Sequence, residues 1–320
     1  MNTGRQTTLR RKIAVTGVGV HSGLPVTLTL RPAKAHTGII FARTDLPPER
    51  DSEVRADVRA VTATDFATVL GSSQGPLCST SEHVLAALSG LGVDNAIVEL
   101  NGQEAPIMDG SAAAFVAAID QAGIITLPAA RRYLKVLRRV RVVQGDSVGE
   151  LRPHPDGFRL EVAIEFDHPL IKKQQINLDL NPDSFRNTLS RARTFGFMRD
   201  VTKLWNAGYA LGASFENTLV VTDKNVLNPE GLRFPDEFVR HKALDAVGDL
   251  ALAGAPLLAC YRSVRGGHTL NHAVLSALMA DRSAWTYVDG STAPAVRPVL
   301  GHADIAGIHV QPAFAPDMNA

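Results

Sequence analysis

Apolar alternation with period two gives way to apolar spacing of three and four, and along this chain the change happens twice. In LPVTLTLRP, Val26, Leu28 and Leu30 alternate with Thr27 and Thr29, the pattern of a half-buried strand, and TGIIFARTD at 37–45 reads as another. GVGVHSG, just before the first of these, has the glycines of a tight turn. Residues 51–78 are mixed, with a loop at 71–76. From Ser79 the spacing becomes helical, with Val84, Leu85, Leu88 and Leu91 on one stripe. A strand (DNAIVELNG), a turn (QEAPIMDGS) and a second helix (SAAAFVAAIDQAG) complete the first half. Residues 124–134 read as a connection between domains. Beyond them YLKVLRRVRVV reads as one strand, and FRLEVAIEF at 158–166 sets Leu160, Val162, Ile164 and Phe166 against Arg159, Glu161 and Glu165. A helix at 234–255, the strand GAPLLACYRSVRGG and a final helix, NHAVLSALMAD at 271–281, follow. Strands first and helices later, twice over, is the signature of an α+β chain with an internal duplication. The stretches HVLAALSGL from His83 and HKALDAVGDL from His241 echo one another.

Composition narrows the function classes. With 33 basic and 32 acidic residues the net charge is +1, which gives no nucleic-acid footprint. The length of 320 residues suits two domains. Cys78 and Cys260 lie far apart and in no CxxC pattern, which argues against a disulfide scaffold and for a reducing compartment. No apolar run reaches the roughly 18 residues of a membrane span. The N-terminal MNTGRQTTLRRKIAV is basic without an apolar core, so we expect no secretory signal and a cytoplasmic location. A monomer is expected as well.

Reactive side chains concentrate in four places: Glu82–His83, Arg193–Thr194, the helix carrying His241, Lys242, Asp245 and Asp249, and Gly266-Gly267-His268. The helix opens at Pro235 and Asp236 and closes at Gly254 and Pro256. His241 and Asp245 are four apart and share a face, with Asp249 one turn on. Such a face also suits solvated ion pairs worth about 0.2–0.5 kcal/mol each. A hydrolytic zinc site wants three N/O ligands and an open position, and His83, on the matching helix of the other half, can supply the third. Ser79 and Glu82 have the spacing of a capping box. Asp109, in PIMDGS, reads as a cap for a helix starting near Ser111. Arg138, Arg139 and Arg141 read as the solvent face of a strand or a diphosphate contact, and His21 as structural or near the mouth of a site.

Six ordered stretches resemble the UDP-3-O-acyl-N-acetylglucosamine deacetylases, zinc amidases of lipid A synthesis in Gram-negative bacteria. They are GVGVHSGLPVTLTLRPA, TSEHVLAALSGLGVDNAIVELNG, PIMDGSAAAF, SRARTFGFMRD, VLNPEGLRFPDEFVRHKALDAVGDL and GGHTLNH, and the resemblance spans residues 8–285. It implies two similar domains, 1–128 and 129–290, each a sheet layer packed on a helix pair with the active site at their interface. It also implies Zn²⁺, with Fe²⁺ as an alternative in the cell, held by His83, His241 and Asp245. Glu82 would be the general base and His268 the general acid, with Asp249 orienting and charging that imidazole. Thr194 would stabilise the oxyanion, and Lys242 would hold the polar part of the substrate or the developing charge. The substrate implied is a UDP-linked acylated amino sugar that loses its N-acetyl group.

The resemblance further implies an insert near 195–217 that encloses the acyl chain. It brings Phe195, Phe197, Met198, Leu204, Trp205 and Leu211, which also suit ordinary core packing. Phe195, Ser214 and Phe215 are the expected ligand contacts. Two departures stand out. The family's GGSF reads LGASF here, with Ala213 in place of the second glycine, so a methyl would narrow the passage if backbone approaches the ligand there. The loop from Asp65 to Glu82 also differs, which bears on any substrate contact through Thr68. Residues 291–320, with Pro294, Pro298, Pro312 and Pro316, lie outside the resemblance and read as an irregular tail.

Overall fold

A computed structural model describes residues 4–290; the expected tail at 291–320 lies outside them. Among the described residues six α-helices are assigned. They are α1 (Glu82–Gly90), α2 (Ala113–Ala122), α3 (Pro182–Ser184), α4 (Val201–Asn206), α5 (Glu237–Leu250) and α6 (His268–Ala280).

The first half carries a five-stranded sheet in the order Ile13–Val18, Pro25–Pro32, Ala96–Leu100, Ile39–Arg43, Glu53–Arg55. The alternation read in LPVTLTLRP holds: Val26, Leu28 and Leu30 are buried in the core. The second half carries a seven-stranded sheet around Leu257–Val264, which pairs antiparallel with Ser147–Arg152 and parallel with Phe158–Glu165 and Arg132–Val136. Helix α2 packs on the first sheet; α5 and α6 pack on the second; α1 packs on both α2 and α5. The four longer helices therefore lie between the two sheets, and one apolar core runs through both halves. The protein is α+β.

Three local expectations change. The stretch 124–134 is not a loose connection. Ile124–Ala130 pairs antiparallel with Arg5–Leu9, and Arg132–Val136 enters the second sheet. YLKVLRRVRVV is two strands, broken at 137–139 before Val140–Gln144. Residues 51–78 contain a three-stranded sheet, Val61–Ala63, Val69–Ser72 and Gly75–Cys78. This small sheet approaches the ends of α5 and α6 through the residues that follow its first strand.

The closest helix contact is between α1 and α5. A Cβ placed on Gly248 would sit 2.0 Å from the backbone oxygen of Glu82, so no side chain fits there. That absence lets the two helices meet backbone to backbone beside the residues singled out for chemistry.

Candidate metal centre and active site

Helix α1 begins at Glu82, not Ser79. Ser79 forms an isolated parallel bridge to Glu104, donating its N–H to Gln103 O, and Thr80 turns the chain with φ +55°. A β-branched residue in the left-handed region is strained. Here the Thr80 hydroxyl is held by the Glu104 carboxylate at 3.1 Å. The expected capping box does not form: the Glu82 carboxylate instead accepts from the Thr68 backbone N–H at 3.0 Å. Glu82 and His83 are both buried, in the first turn of α1 and against α5.

From α5 come His241 and Asp245. Asp245 Oδ1 lies 3.3 Å from His241 Nε2 and 3.6 Å from His83 Nε2, and the three ligand atoms fall within 4.8 Å of one another. Asp245 Oδ1 is buried with no hydrogen-bond partner among the described residues. A buried, unpartnered carboxylate oxygen costs several kcal/mol unless a cation sits on it. His241 Nδ1 donates to the Ala192 carbonyl at 3.1 Å, which leaves Nε2 with a free lone pair toward Asp245. Burial pushes His241 down to about 3, so the ring is neutral. Burial would raise Asp245, but the charge of the Lys242 ammonium beside it helps hold its carboxyl well below the usual carboxylate range. Two imidazoles and one carboxylate, with no fourth side chain grouped with them among the described residues, fit a divalent ion with an open position.

His268 is the first residue of α6, three earlier than the apolar pattern suggested. Its Nδ1 donates to Asp249 Oδ2 at 2.9 Å. Its Nε2 points at the trio, 3.9 Å from Glu82 Oε1 and 3.9 Å from Asp245 Oδ2. Burial would lower the imidazole's pKa, but the Asp249, Glu82 and Asp245 carboxylates push it up to about 9. Burial raises Glu82, with His268 and His83 opposing.

Lys242 Nζ donates to Asp245 Oδ2 at 3.0 Å and sits 5.8 Å from the Phe195 ring centre. Thr194 follows Arg193, whose side chain is buried against Glu237, the first residue of α5. Thr194 N–H donates to Gly110 O, and its residue lies two beyond the Ala192 carbonyl that holds His241. Phe195 stacks edge-on against Phe238 at 5.0 Å and faces His241 at 6.4 Å.

The expected insert is a strand–helix–strand unit: Phe195–Phe197, then α4, then Leu219–Val221 parallel to the first strand. Met198, Trp205, Leu211 and Phe215 are exposed apolar residues on it. Ser214 is turned into its own loop: its hydroxyl donates to Glu216 and its N–H to Asn217 Oδ1. The close backbone approach in LGASF is at Gly212, whose added Cβ would be 2.3 Å from Gly19 O; the Ala213 side chain is exposed. His21 anchors the insert to the first half, taking the Ala210 N–H on Nδ1 at 3.4 Å and meeting Tyr209 edge-on at 5.3 Å. Asp109 accepts from Ser111 ahead of α2 and also pairs with Arg233, and Arg138 pairs with Asp281 at the surface.

Sequence reasoning did not find Asn271, Tyr261, Glu104 or the Arg193–Glu237 pair. Asn271 had a signal: it is one turn from His268 on the same helix and donates to Asp249 Oδ2 at 2.8 Å. Tyr261, which donates to Asn271 Oδ1, sits in an apolar strand and had none.

A buried trio for a divalent ion, flanked by a carboxylate and a charged imidazole, defines a metal-dependent hydrolase. The family model for UDP-3-O-acyl N-acetylglycosamine deacetylase matches residues 6–280, and the chain belongs to that family. Curated relatives named UDP-3-O-acyl-N-acetylglucosamine deacetylase include one from Brucella ovis, 50% identical over 285 residues, which are 89% of this chain and 98% of the relative. One from Brucella melitensis is 49% identical over the same shares of each chain.

Proposed function

We propose that this protein hydrolyses the N-acetyl group of a UDP-3-O-(3-hydroxyacyl)-N-acetylglucosamine, giving the free amine and acetate, in lipid A biosynthesis. The ion is proposed to be zinc, with Fe²⁺ able to occupy the same ligands. Held by His83, His241 and Asp245, it would supply Lewis-acid polarisation of the acetyl carbonyl and of the attacking water. Glu82 takes a proton from that water as it adds to the carbonyl carbon. The resulting tetrahedral oxyanion is met by Thr194 and by the Lys242 ammonium. His268, held protonated by Asp249, then gives its Nε2 proton to the amine nitrogen as the C–N bond breaks. The observation that supports this reading is that His268 Nε2 lies 3.9 Å from Glu82 Oε1 and 3.9 Å from Asp245 Oδ2 of the buried trio, with Glu82 next to His83 in the chain.

On this reading the chain divides into a domain at 1–128 and a domain at 129–290. The insert near 195–217 receives the acyl chain, supported by its exposed Met198, Trp205, Leu211 and Phe215. Phe195, Ser214 and Phe215 are its proposed ligand contacts. A cytoplasmic location is supported by two buried free cysteines. Among the described residues no helix is long and apolar enough to cross a membrane.

The test is Glu82→Ala. It should keep stoichiometric zinc and lose about 10²-fold or more in acetate release, the range of a general-base contribution. An undiminished rate removes Glu82 from the mechanism. Acetate release from the UDP-sugar with and without its 3-O-acyl chain tests the substrate. Equal rates would favour a zinc amidohydrolase acting on another acylated amino sugar, and no release from either would favour a non-catalytic nucleotide-sugar or lipid-binding protein.

A further inference from the structure

Thr68 lies just before the strand Val69–Ser72, is buried, and touches both halves of the proton-transfer machinery. Its backbone N–H donates to Glu82 Oε2 at 3.0 Å. Its carbonyl accepts from the Ser81 hydroxyl at 3.0 Å and the Ser81 N–H at 3.3 Å. Its hydroxyl donates to Asp249 Oδ1 at 2.6 Å. We propose that Thr68 is a positioning residue: it fixes the base Glu82 relative to the Asp249–His268 pair. The proposal rests on the base and acid assignments above.

A buried carboxylate and a buried imidazolium this close do not stay apart when left alone. They attract strongly in a low dielectric and close to a charge-assisted hydrogen bond at about 2.7–2.9 Å. That contact would occupy the Glu82 oxygen that must take a proton and the His268 proton that must be given. The structure keeps the two atoms at 3.9 Å, beyond hydrogen-bond range. Each group is drawn back by a bond on its far side. Glu82 is held through Oε2 by the Thr68 N–H, and His268 through Nδ1 by Asp249.

Asp249 is held in turn. Oδ2 accepts from His268 and from Asn271, and Oδ1 accepts from Thr68. The carboxylate cannot rotate without losing one of these three donors. The Thr68 hydroxyl has a single proton, and it is committed to Asp249. Its 3.4 Å approach to His268 Nδ1 therefore adds no second donation, because the Nδ1 proton goes to Asp249 Oδ2. Removing the hydroxyl leaves Asp249 with donors on one oxygen only, and the Asp249–His268 unit is then free to swing toward Glu82.

The test uses the full chain loaded with zinc, comparing Thr68→Val, which keeps the shape and the backbone N–H, with Thr68→Ser, which restores the hydroxyl. Thr68→Val should lose about tenfold or more in kcat, the usual scale for such a supporting hydrogen bond, with KM and bound zinc unchanged. Thr68→Ser should recover most of that loss, which a packing role for the methyl would not give. A wild-type kcat in Thr68→Val, a Thr68→Ser as slow as Thr68→Val, or a change confined to KM or zinc content overturns the proposal. Should Thr68→Val not fold, Thr68→Cys, of similar size with a weak donor, decides the same question: a wild-type kcat overturns it and a reduced one supports it. His268→Gln in the same assay separates the two levels. If it is undiminished, the acid assignment itself fails. If it is slow while Thr68→Val is fast, only the positioning role fails.

Discussion

Asp245 divides its two oxygens between different tasks. Oδ2 is taken by the Lys242 ammonium, and Oδ1 faces the Nε2 atoms of two imidazoles with no hydrogen-bond partner among the described residues. His241→Ala should therefore yield protein with little bound zinc, and stoichiometric metal in that variant would refute its role as a ligand. On the proposed roles, Glu82 and His268 set the pH dependence of the rate. Only protonated His268 can give a proton, and the carboxylates around it hold its pKa at about 9, so activity should fall as pH rises through that value. Only ionised Glu82 can take one, and burial raises its pKa, so the acid limb should lie above the ordinary carboxylate range. Asp249→Asn removes the main charge holding His268 up and should move the alkaline limb to lower pH. A limb that stays in place would detach Asp249 from His268. At this scale His83, His241, Asp245, Glu82 and His268 were legible because they stand in long ordered stretches of sequence. Thr68 entered only as a doubtful substrate contact. Its hydroxyl bond joins residues 181 apart in the chain, and neither spacing nor residue type announces it.

Helices were easier to place than their ends. The capping-box spacing of Ser79 and Glu82 was present in the sequence, but Thr80 at φ +55° turned the chain and released Glu82 for another partner. Local propensity loses here to a tertiary bond: Glu104, from the loop after Ala96–Leu100, holds Thr80 together with the His21 and Ser22 amides. The split of YLKVLRRVRVV was hidden because apolar alternation runs straight across the break. The contact of α1 with α5 depends on Gly248, which carried no helix-breaking signal and reads as an ordinary interior glycine. Gly248→Ala forces its methyl onto the Glu82 carbonyl and should cost about 1–3 kcal/mol by overpacking. It should lower kcat as well, since the displaced residue is Glu82. Urea melts and steady-state rates on the same preparation check both. Wild-type stability and rate together would mean the helices can part at no cost.

For the whole molecule, the decisive arrangement is that the proposed ligands come from both halves. His83 belongs to the first, and His241 and Asp245 to the second. A bound ion would therefore crosslink two sheets that otherwise meet through helices. Binding to the folded state alone adds about 2.7 kcal/mol when free ion is at roughly 100 times Kd. Chelation should lower the Tm of the wild-type protein, and the same chelator should leave the Tm of His83→Ala nearly unchanged. An equal drop in both would place the stabilising ion elsewhere. The strand-then-helix order, repeated, made the α+β plan legible. The layering of four helices between two sheets was not, because which helix faces which depends on contacts between the halves that no local pattern encodes.

The order in which these parts leave the ribosome follows from the same division. His83 emerges early, near the end of the first sheet's sequence, and must wait through the second half's strands and the insert for its partners. Two ligands then arrive together on one turn of α5, and the acid histidine comes last, opening α6. A nascent chain halted before residue 241 holds a single ligand and no proton donor. On the proposed roles such a chain would be inert toward amides however well its first half has folded.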